Sequence, residues 1–280
     1  MKVFEQIAPL KEKLTALKTA GNRIGFVPTM GALHQGHLSL VEQSAYENDI
    51  TVVSIFVNPT QFNDKNDLKN YPRVLDKDIQ LLSKYTCIVF APTEKEIYPE
   101  TDLRKFEFDG LDLVMEGKFR PGHFNGVAQV VTRLFDIVEP HKAYFGLKDF
   151  QQLAIIKHVV VKNKIPVEIV SCPIVRENNG LAMSSRNMRL NEKEKEEAVS
   201  ISRVLFYIHD HFNEFIEYED IKYFVARELE KKPDIRLEYF EIVNTHTLQE
   251  IKSLQTSEPR NACIAAWVGN VRLIDNIDLN

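Results

Sequence analysis

IGFVPTMGALHQGH, residues 24–37, decides the fold. Ile24 to Thr29 is a short apolar run, and the chain then turns through Met30–His37 into a helical pattern in which Leu38, Val41 and Ala45 share a face. A buried strand feeding a helix is the first unit of a parallel sheet. The same alternation recurs outward from it. Thr51–Val57, Cys87–Ala91, Lys142–Leu147 and Val167–Cys172 are short apolar runs, separated by stripes such as Leu75/Ile79/Leu82 and Val127/Val130/Val131/Leu134/Val138. Upstream, Ile7, Leu10, Leu14 and Leu17 make one more helical stripe. Near-continuous apolar strands alternating with amphipathic helices predict an α/β, Rossmann-like parallel sheet covered on both faces. The stretch Tyr98–Phe124 interrupts the pattern and reads as an insertion near the site.

After about Arg189 the pattern changes. Asn191 and Glu194 form a capping-box spacing ahead of a long helix carrying Ala198, Ile201, Leu205, Ile208 and Phe212. A second helix carries Ile221, Phe224, Val225 and Leu229. A strand over Ile235–Val243 and a hairpin around Gly269-Asn270 complete a small α+β unit. The expected division is 1–177, a Rossmann-like domain binding nucleotide and acid, and 178–280, a small C-terminal α+β domain covering the active site.

In an open parallel sheet, ligands bind beyond the carboxyl ends of the strands. The turn after Thr29 therefore stands where a ligand is expected. A helix start offers backbone N–H groups to an anion, Gly31 and Gly36 permit close approach, and His34 and His37, three apart, can face the same way. Two imidazoles there can donate to oxygens that gain charge in a transition state. Gly180-Leu-Ala-Met-Ser-Ser-Arg-Asn187 is a second candidate: Ser184 and Ser185 donate, and Arg186 adds a planar charged fork. Gly146-Leu147-Lys148-Asp149, at the end of a strand, adds a lysine point charge. Asp149 is either a helix cap or a ligand contact. Amides at strand ends, Asn58, Gln61, Gln151 and Gln152, both donate and accept, which suits a substrate carrying hydroxyls and a carboxylate. Arg120 and His123 are either a closing anion contact or a solvated basic turn.

The chain has 280 residues, net charge −5, 44% hydrophobic and 27% charged residues. This excludes disorder and coiled coil, and the acidic balance argues against nucleic acid as the main partner. The charged N-terminus does not read as a signal peptide, and no run approaches the ~18 apolar residues of a membrane span. Cys87, Cys172 and Cys263 are far apart and each lies in an apolar stretch, so they read as buried free thiols. A cytoplasmic protein without membrane association is expected.

PTMGALHQGH, FVNPTQF, RPGHF, YFGLKDFQQ and LAMSSRN, in that order, resemble the pantothenate synthetase (pantoate–β-alanine ligase) family from about Gly25 to Asn187. The histidine turn paired with a serine–arginine loop is similar to that of class I aminoacyl-tRNA synthetases and nucleotidylyltransferases. The family resemblance implies an ATP-dependent ligase of the coenzyme A pathway. Pantoate attacks the α-phosphate of ATP to give pantoyl adenylate and pyrophosphate, and β-alanine then displaces AMP. It also implies Mg²⁺ and a homodimer. By residue, it places His34 and His37 on the ATP phosphates, His37 with the acid role. Lys148 and Arg186 join them as the catalytic set. It assigns ATP binding to Met30, Gly31, Ala32, Leu33, His34, Gln35, Gly36, His37, Gly146, Leu147, Lys148, Asp149, Val175, Met183, Ser184, Ser185 and Arg186. Gln61 and Gln152 take pantoate, with Gln61 also near β-alanine, and Asn58 joins them as a substrate-binding amide. Leu147 departs from the family, which often has an acidic residue there. Metal ligands are not implied. The alternatives are a nucleotidylyltransferase that stops after AMP transfer to a phosphate or acid, and a non-catalytic nucleotide-sensing or RNA-binding remnant of the same fold.

Overall fold

A computed structural model describes residues 1–279. Six parallel strands form the larger sheet: β1 (Lys2–Phe4), β2 (Ile24–Thr29), β3 (Ile50–Ile55), β4 (Cys87–Phe90), β5 (Lys142–Gly146) and β6 (Glu168–Cys172), in the order β1-β4-β3-β2-β5-β6. The register pairs Phe26 with Val52 and Val27 with Val53, so successive side chains enter opposite layers. Phe26, Val52 and Phe90 pack under the helices Ile7–Thr19, His123–Val138 and Phe150–Lys162. Val27, Val53 and Val89 pack under the helix Gln35–Glu47. Both faces are covered, which is why the strands are apolar throughout. β1 is the one strand that sequence periodicity does not reveal, because three residues carry no period.

Two apolar stripes are rotated from their expected positions. In the helix Gln35–Glu47, Ala45 is exposed and Ser44 is buried instead, with its hydroxyl 2.9 Å from that of Thr51. Gly25 makes room for this close approach: a Cβ there would lie 2.2 Å from Ser44 Oγ. In the helix Leu75–Leu82, Leu75 is exposed, whereas Asp78 is buried.

Three antiparallel strands, β7 (Ile235–Asn244), β8 (Arg260–Val268) and β9 (Val271–Asp278), form the second sheet in the order β7-β8-β9. One face packs on the helices Glu192–Asp210 and Tyr218–Glu230. From the other face, Tyr239, Val243, Cys263 and Ala265 pack against Met115, Val114 and Phe150 of the larger unit. The insertion is thus a seat for the second sheet. Glu116 at its centre accepts from Arg272 of β9 at 2.7 and 2.8 Å and from Tyr239 of β7 at 2.9 Å. All three cysteines are free and buried. No helix among the described residues is long and apolar enough to cross a membrane.

Candidate active site

The strand order reverses between β2 and β5, and this opens a crevice at their carboxyl ends. The turn after β2 and the turn after β5 flank that crevice. The loop after β6 folds back onto the first of them: Ser185 Oγ donates to Ala32 O at 3.0 Å. A Cβ on Gly36 would stand 3.8 Å from Met183 Cβ. The histidine turn and the serine–arginine loop therefore form one wall of a single cleft, with Lys148 and Asp149 also on its lining.

His34 is the N-cap of the helix Gln35–Glu47. Its Nδ1 accepts from Gly36 N at 3.1 Å, and His37 Nδ1 accepts from His34 N at 3.4 Å. The two imidazoles thus serve as a reciprocal capping box, the role usually taken by Ser and Glu. Because each Nδ1 is an acceptor, the ring proton of each sits on Nε2. The rings lie 4.1 Å apart between centroids. Burial and the Lys148 charge pull His34 down to about 4, and burial, His34 and Lys148 take His37 well below its ordinary value. Both are neutral N–H donors near pH 7. A Cβ at Gly36 would fall 2.9 Å from the His34 ring, so only glycine leaves that ring in place.

Several main-chain donors of this turn are satisfied within the protein. Ala32 N and Leu33 N donate to the Asp78 carboxylate at 2.9 and 2.7 Å, and Gly36 N is taken by His34. The amides of Ala32, Leu33 and Gly36 are thus already paired and are not free for an anion. Gly31, with φ +78°, and Ala32, with φ +49°, shape the turn around Asp78. Leu33 packs in the core beneath the helix Gln35–Glu47. Gly31, Ala32, Leu33, Gln35 and Leu147 do not line the cleft, whereas Met30, His34, Gly36, His37, Gly146, Lys148, Asp149, Val175, Met183, Ser184, Ser185 and Arg186 do. Leu147 packs against the core, and its carbonyl accepts from Asn276 at 3.0 Å.

Arg186 is held ready by Asp67, with NH2 to Oδ2 at 2.7 Å, and Arg189 reaches the same carboxylate at 2.7 Å. Burial works to raise Asp67, but Arg186 and Arg189 outweigh it and hold the carboxyl below its ordinary value. Two cations on one carboxylate leave the cluster with a net positive charge, and Arg186 is its member on the cleft lining. Asp149 precedes the helix Phe150–Lys162 but caps nothing with its side chain. It stands half-exposed, 3.6 Å from Lys148 Nζ, which favours the ligand-facing reading over the cap.

The amides separate into two kinds. Asn58 is 1% exposed and fully engaged: it donates to Gln61 Oε1 and Gly126 O, and accepts from Thr60 and Tyr98. It lines the cleft and positions Gln61, with both amide hydrogens and its oxygen already engaged within the protein. Gln151 Nε2 is likewise engaged, donating to Leu111 O and Val114 O of the insertion. Gln61 and Gln152 both line the cleft. Arg120 and His123 are no solvated turn. His123 is buried, and its Nδ1 lies 2.7 Å from Gln61 O, with Arg120 NH2 3.4 Å from that carbonyl. A carbonyl only accepts, so Nδ1 carries the proton. Burial and Arg120 bring His123 down to about 3.

Asp78, Asp67 and Asn276 have no motif in the sequence. Alternation along β9 predicts one of Asp275 and Asn276 inside and one outside, whereas both are buried.

Fold and site together define an α/β protein with a Rossmann-like parallel sheet, a small C-terminal antiparallel sheet, and a polar cleft at the carboxyl ends of β2 and β5. Residues 2–278 match the family described as Pantoate-beta-alanine ligase. A pantothenate synthetase of Bacteroides thetaiotaomicron is 54% identical over 278 residues, 99% of this chain and 98% of that protein. One from Porphyromonas gingivalis is 49% identical, over 99% of each. The crystal structure of pantothenate synthetase from Thermus thermophilus superposes with TM-score 0.92 at 38% identity, covering 100% of this chain and 99% of that one. A pantoate-beta-alanine ligase from Francisella tularensis, complexed with beta-gamma ATP and beta-alanine, gives 0.82 at 36%, covering 100% and 98%. The chain belongs to the pantoate-beta-alanine ligase family.

Proposed function

We propose that this chain condenses pantoate with β-alanine using ATP, through pantoyl adenylate, releasing pyrophosphate and AMP. The observation that carries this is the contact of Ser185 with Ala32 within one wall of the cleft, which brings the histidine turn and the serine–arginine loop to one place. Family membership over nearly the whole chain supplies the substrates. Activation by ATP explains why the reaction needs no nucleophilic side chain. The three thiols are buried, and burial pushes each above its ordinary value, to about 11, 11 and 12.

In the first step a pantoate carboxylate oxygen bonds to the α-phosphorus and the bond to pyrophosphate breaks. Two anions must meet, and the leaving oxygens gain charge. Lys148, Arg186 and the Nε2–H groups of His34 and His37 supply positive potential and donors; removing one such donor costs on the order of 10²–10³ in rate. The neutral state of His37 makes it a hydrogen-bond donor to the phosphates before it is an acid. In the second step the amine nitrogen of β-alanine bonds to the acyl carbon, AMP leaves, and the amine's surplus protons are released. Gln61 and Gln152 are the amides we assign to pantoate, with Met30, Val175, Met183 and Ser184 around the nucleotide.

No group of three His, Cys, Asp or Glu side chains able to hold a metal occurs among the described residues. Within the cleft Glu116 is paired with Arg272, and Asp275 with Arg176. The described residues thus form no three-ligand cage, and Mg²⁺ enters, in this reading, on the oxygens of ATP as part of the substrate. We also take 1–177 and 178–280 as the two functional units, a homodimer as the assembly, and the cytoplasm as the compartment.

The test is mass spectrometry of the products formed from ATP, pantoate and β-alanine. Pantothenate, AMP and pyrophosphate in equal amounts are expected. Release of an adenylylated acid without amide formation indicates the transferase alternative. No pantoate-dependent pyrophosphate refutes both.

A further inference from the structure

We infer that Asn276, on the last strand of the C-terminal sheet, is a positioning residue for the nucleotide-binding lysine: its side-chain amide holds the main chain of Leu147 and Lys148 from across the domain boundary. The inference rests on the ligase reading and extends it to a residue outside every phosphate-binding motif.

Asn276 Nδ2 donates to Leu147 O and to Lys148 O, both at 3.0 Å. One NH₂ group carries two hydrogens, so both are consumed. Its Oδ1 accepts from Asn261 Nδ2 at 3.2 Å, which fixes which end of the amide faces the turn. Asn276 N donates to Asp275 Oδ1 at 2.8 Å. Asp275 is in turn gripped by Arg176, at 2.6 and 3.0 Å, and Arg176 NH2 reaches Asn276 O at 3.3 Å. Asn276 is 4% exposed, and so is Asp275. The amide is therefore held on three sides by β8, β9 and the segment after β6, and presents its donors to the turn after β5.

That turn has little else to define it. Gly146, which begins it, has open space where a Cβ would stand. Asp149 gives it no side-chain cap. Residues 147–149 form a single 3₁₀ turn. The fork from Asn276 therefore supplies the restraint that a cap usually supplies, and it acts on the residue whose ammonium meets the triphosphate. A hydroxyl or carboxylate at this place cannot do the same: a serine cannot reach both carbonyls, and an aspartate has no hydrogen to donate. The C-terminal sheet thereby contributes to the first half-reaction, although no side chain of that sheet need touch a phosphate.

The experiment measures the half-reactions separately. Step one is pantoate-dependent pyrophosphate release without β-alanine; step two is consumption of preformed, enzyme-bound pantoyl adenylate when β-alanine is added. Asn276→Ala is expected to lower kcat/KM for ATP in step one by about 10- to 100-fold, the scale of an ångström-sized misplacement, and to leave step two within about twofold. Asn276→Ser, which keeps a small polar group in the strand, should show the same split and serves if the alanine variant fails to fold. Leu229→Ala, in the core of the same domain, should lower thermal stability and leave KM for ATP unchanged. Near-parental ATP dependence in a folded Asn276 variant overturns the inference. So does an equal loss in both steps, or a loss that Leu229→Ala reproduces. If the parent protein itself releases no pantoate-dependent pyrophosphate, the ligase reading fails instead, which is a different result.

Discussion

Asp78→Ala tests the claim that a carboxylate, and not a free helix start, shapes the histidine turn. Asp78 is 1% exposed and accepts from Ala32 N and Leu33 N at 2.9 and 2.7 Å. Its removal strands two buried amides, each costing about 1–3 kcal/mol. It also withdraws support from Ala32 in the left-handed region, so the total is about 2–6 kcal/mol. For a chain of this size about 2 °C of Tm follows each kcal/mol, giving a fall of about 4–12 °C by calorimetry. The chemistry should suffer separately. Ala32 is two residues before His34, and its carbonyl is the one Ser185 donates to. A relaxed turn moves both loops at once, and an ångström of displacement costs about 10²-fold in rate. Pantoate-dependent pyrophosphate release is the assay, run well below the variant's Tm. Asp78→Asn keeps one acceptor oxygen and should fall between parent and alanine in both readouts. Unfolding and pyrophosphate release both at parental values in Asp78→Ala would refute the argument. Loss of stability with full activity would show that the turn holds its shape without the carboxylate.

Three further outcomes are expected. His37→Ala should slow adenylation on the order of 10²–10³-fold while circular dichroism stays unchanged; near-normal pyrophosphate release removes His37 from the phosphates. Gln61→Ala should raise KM for pantoate, because a buried polar group on the substrate loses its partner, and Asn58→Ala should do so more weakly while also lowering Tm, since Asn58 acts through Gln61. A pantoate KM raised by Asn58→Ala but not by Gln61→Ala reverses the two roles. His34 titrates near 6.5 when unfolded and is pulled down to about 4 when folded. The unfolded chain then binds more protons in that window, so stability is full above about 6.5 and is lost as pH falls toward 4, on the order of 3 kcal/mol from this group. Urea unfolding at stepped pH should show that slope flattened in His34→Asn, which keeps an N-cap but cannot titrate; an identical slope in the variant places the proton uptake elsewhere.

Periodicity and local chemistry determine much of this molecule. β2, β3, β4, β5 and β6 are short apolar runs, and a run apolar on both faces has to be covered twice, so five of the six parallel strands and their covering helices follow from periodicity. His34, His37, Lys148 and Arg186 are visible because each sits in a turn at the end of a strand or in a glycine-bearing loop, where main-chain geometry already suits an anion. Their neighbours in sequence are less well read. Ala32 and Leu33 lie inside the best motif, yet their amides serve Asp78, and Asn58 lies inside another, yet serves Gln61. A motif records which residues travel together, and it does not record which atom of each is already bonded.

What only the tertiary structure decides is where buried polar groups find partners. Asp78 flanks the apolar stripe of its helix with nothing nearby in sequence to pair it, and Asn276 lies on a hairpin strand more than a hundred residues from the lysine it supports. Nothing local requires those bonds. They exist because a buried donor or acceptor must be paired with whatever the packing of distant elements brings within about 3 Å.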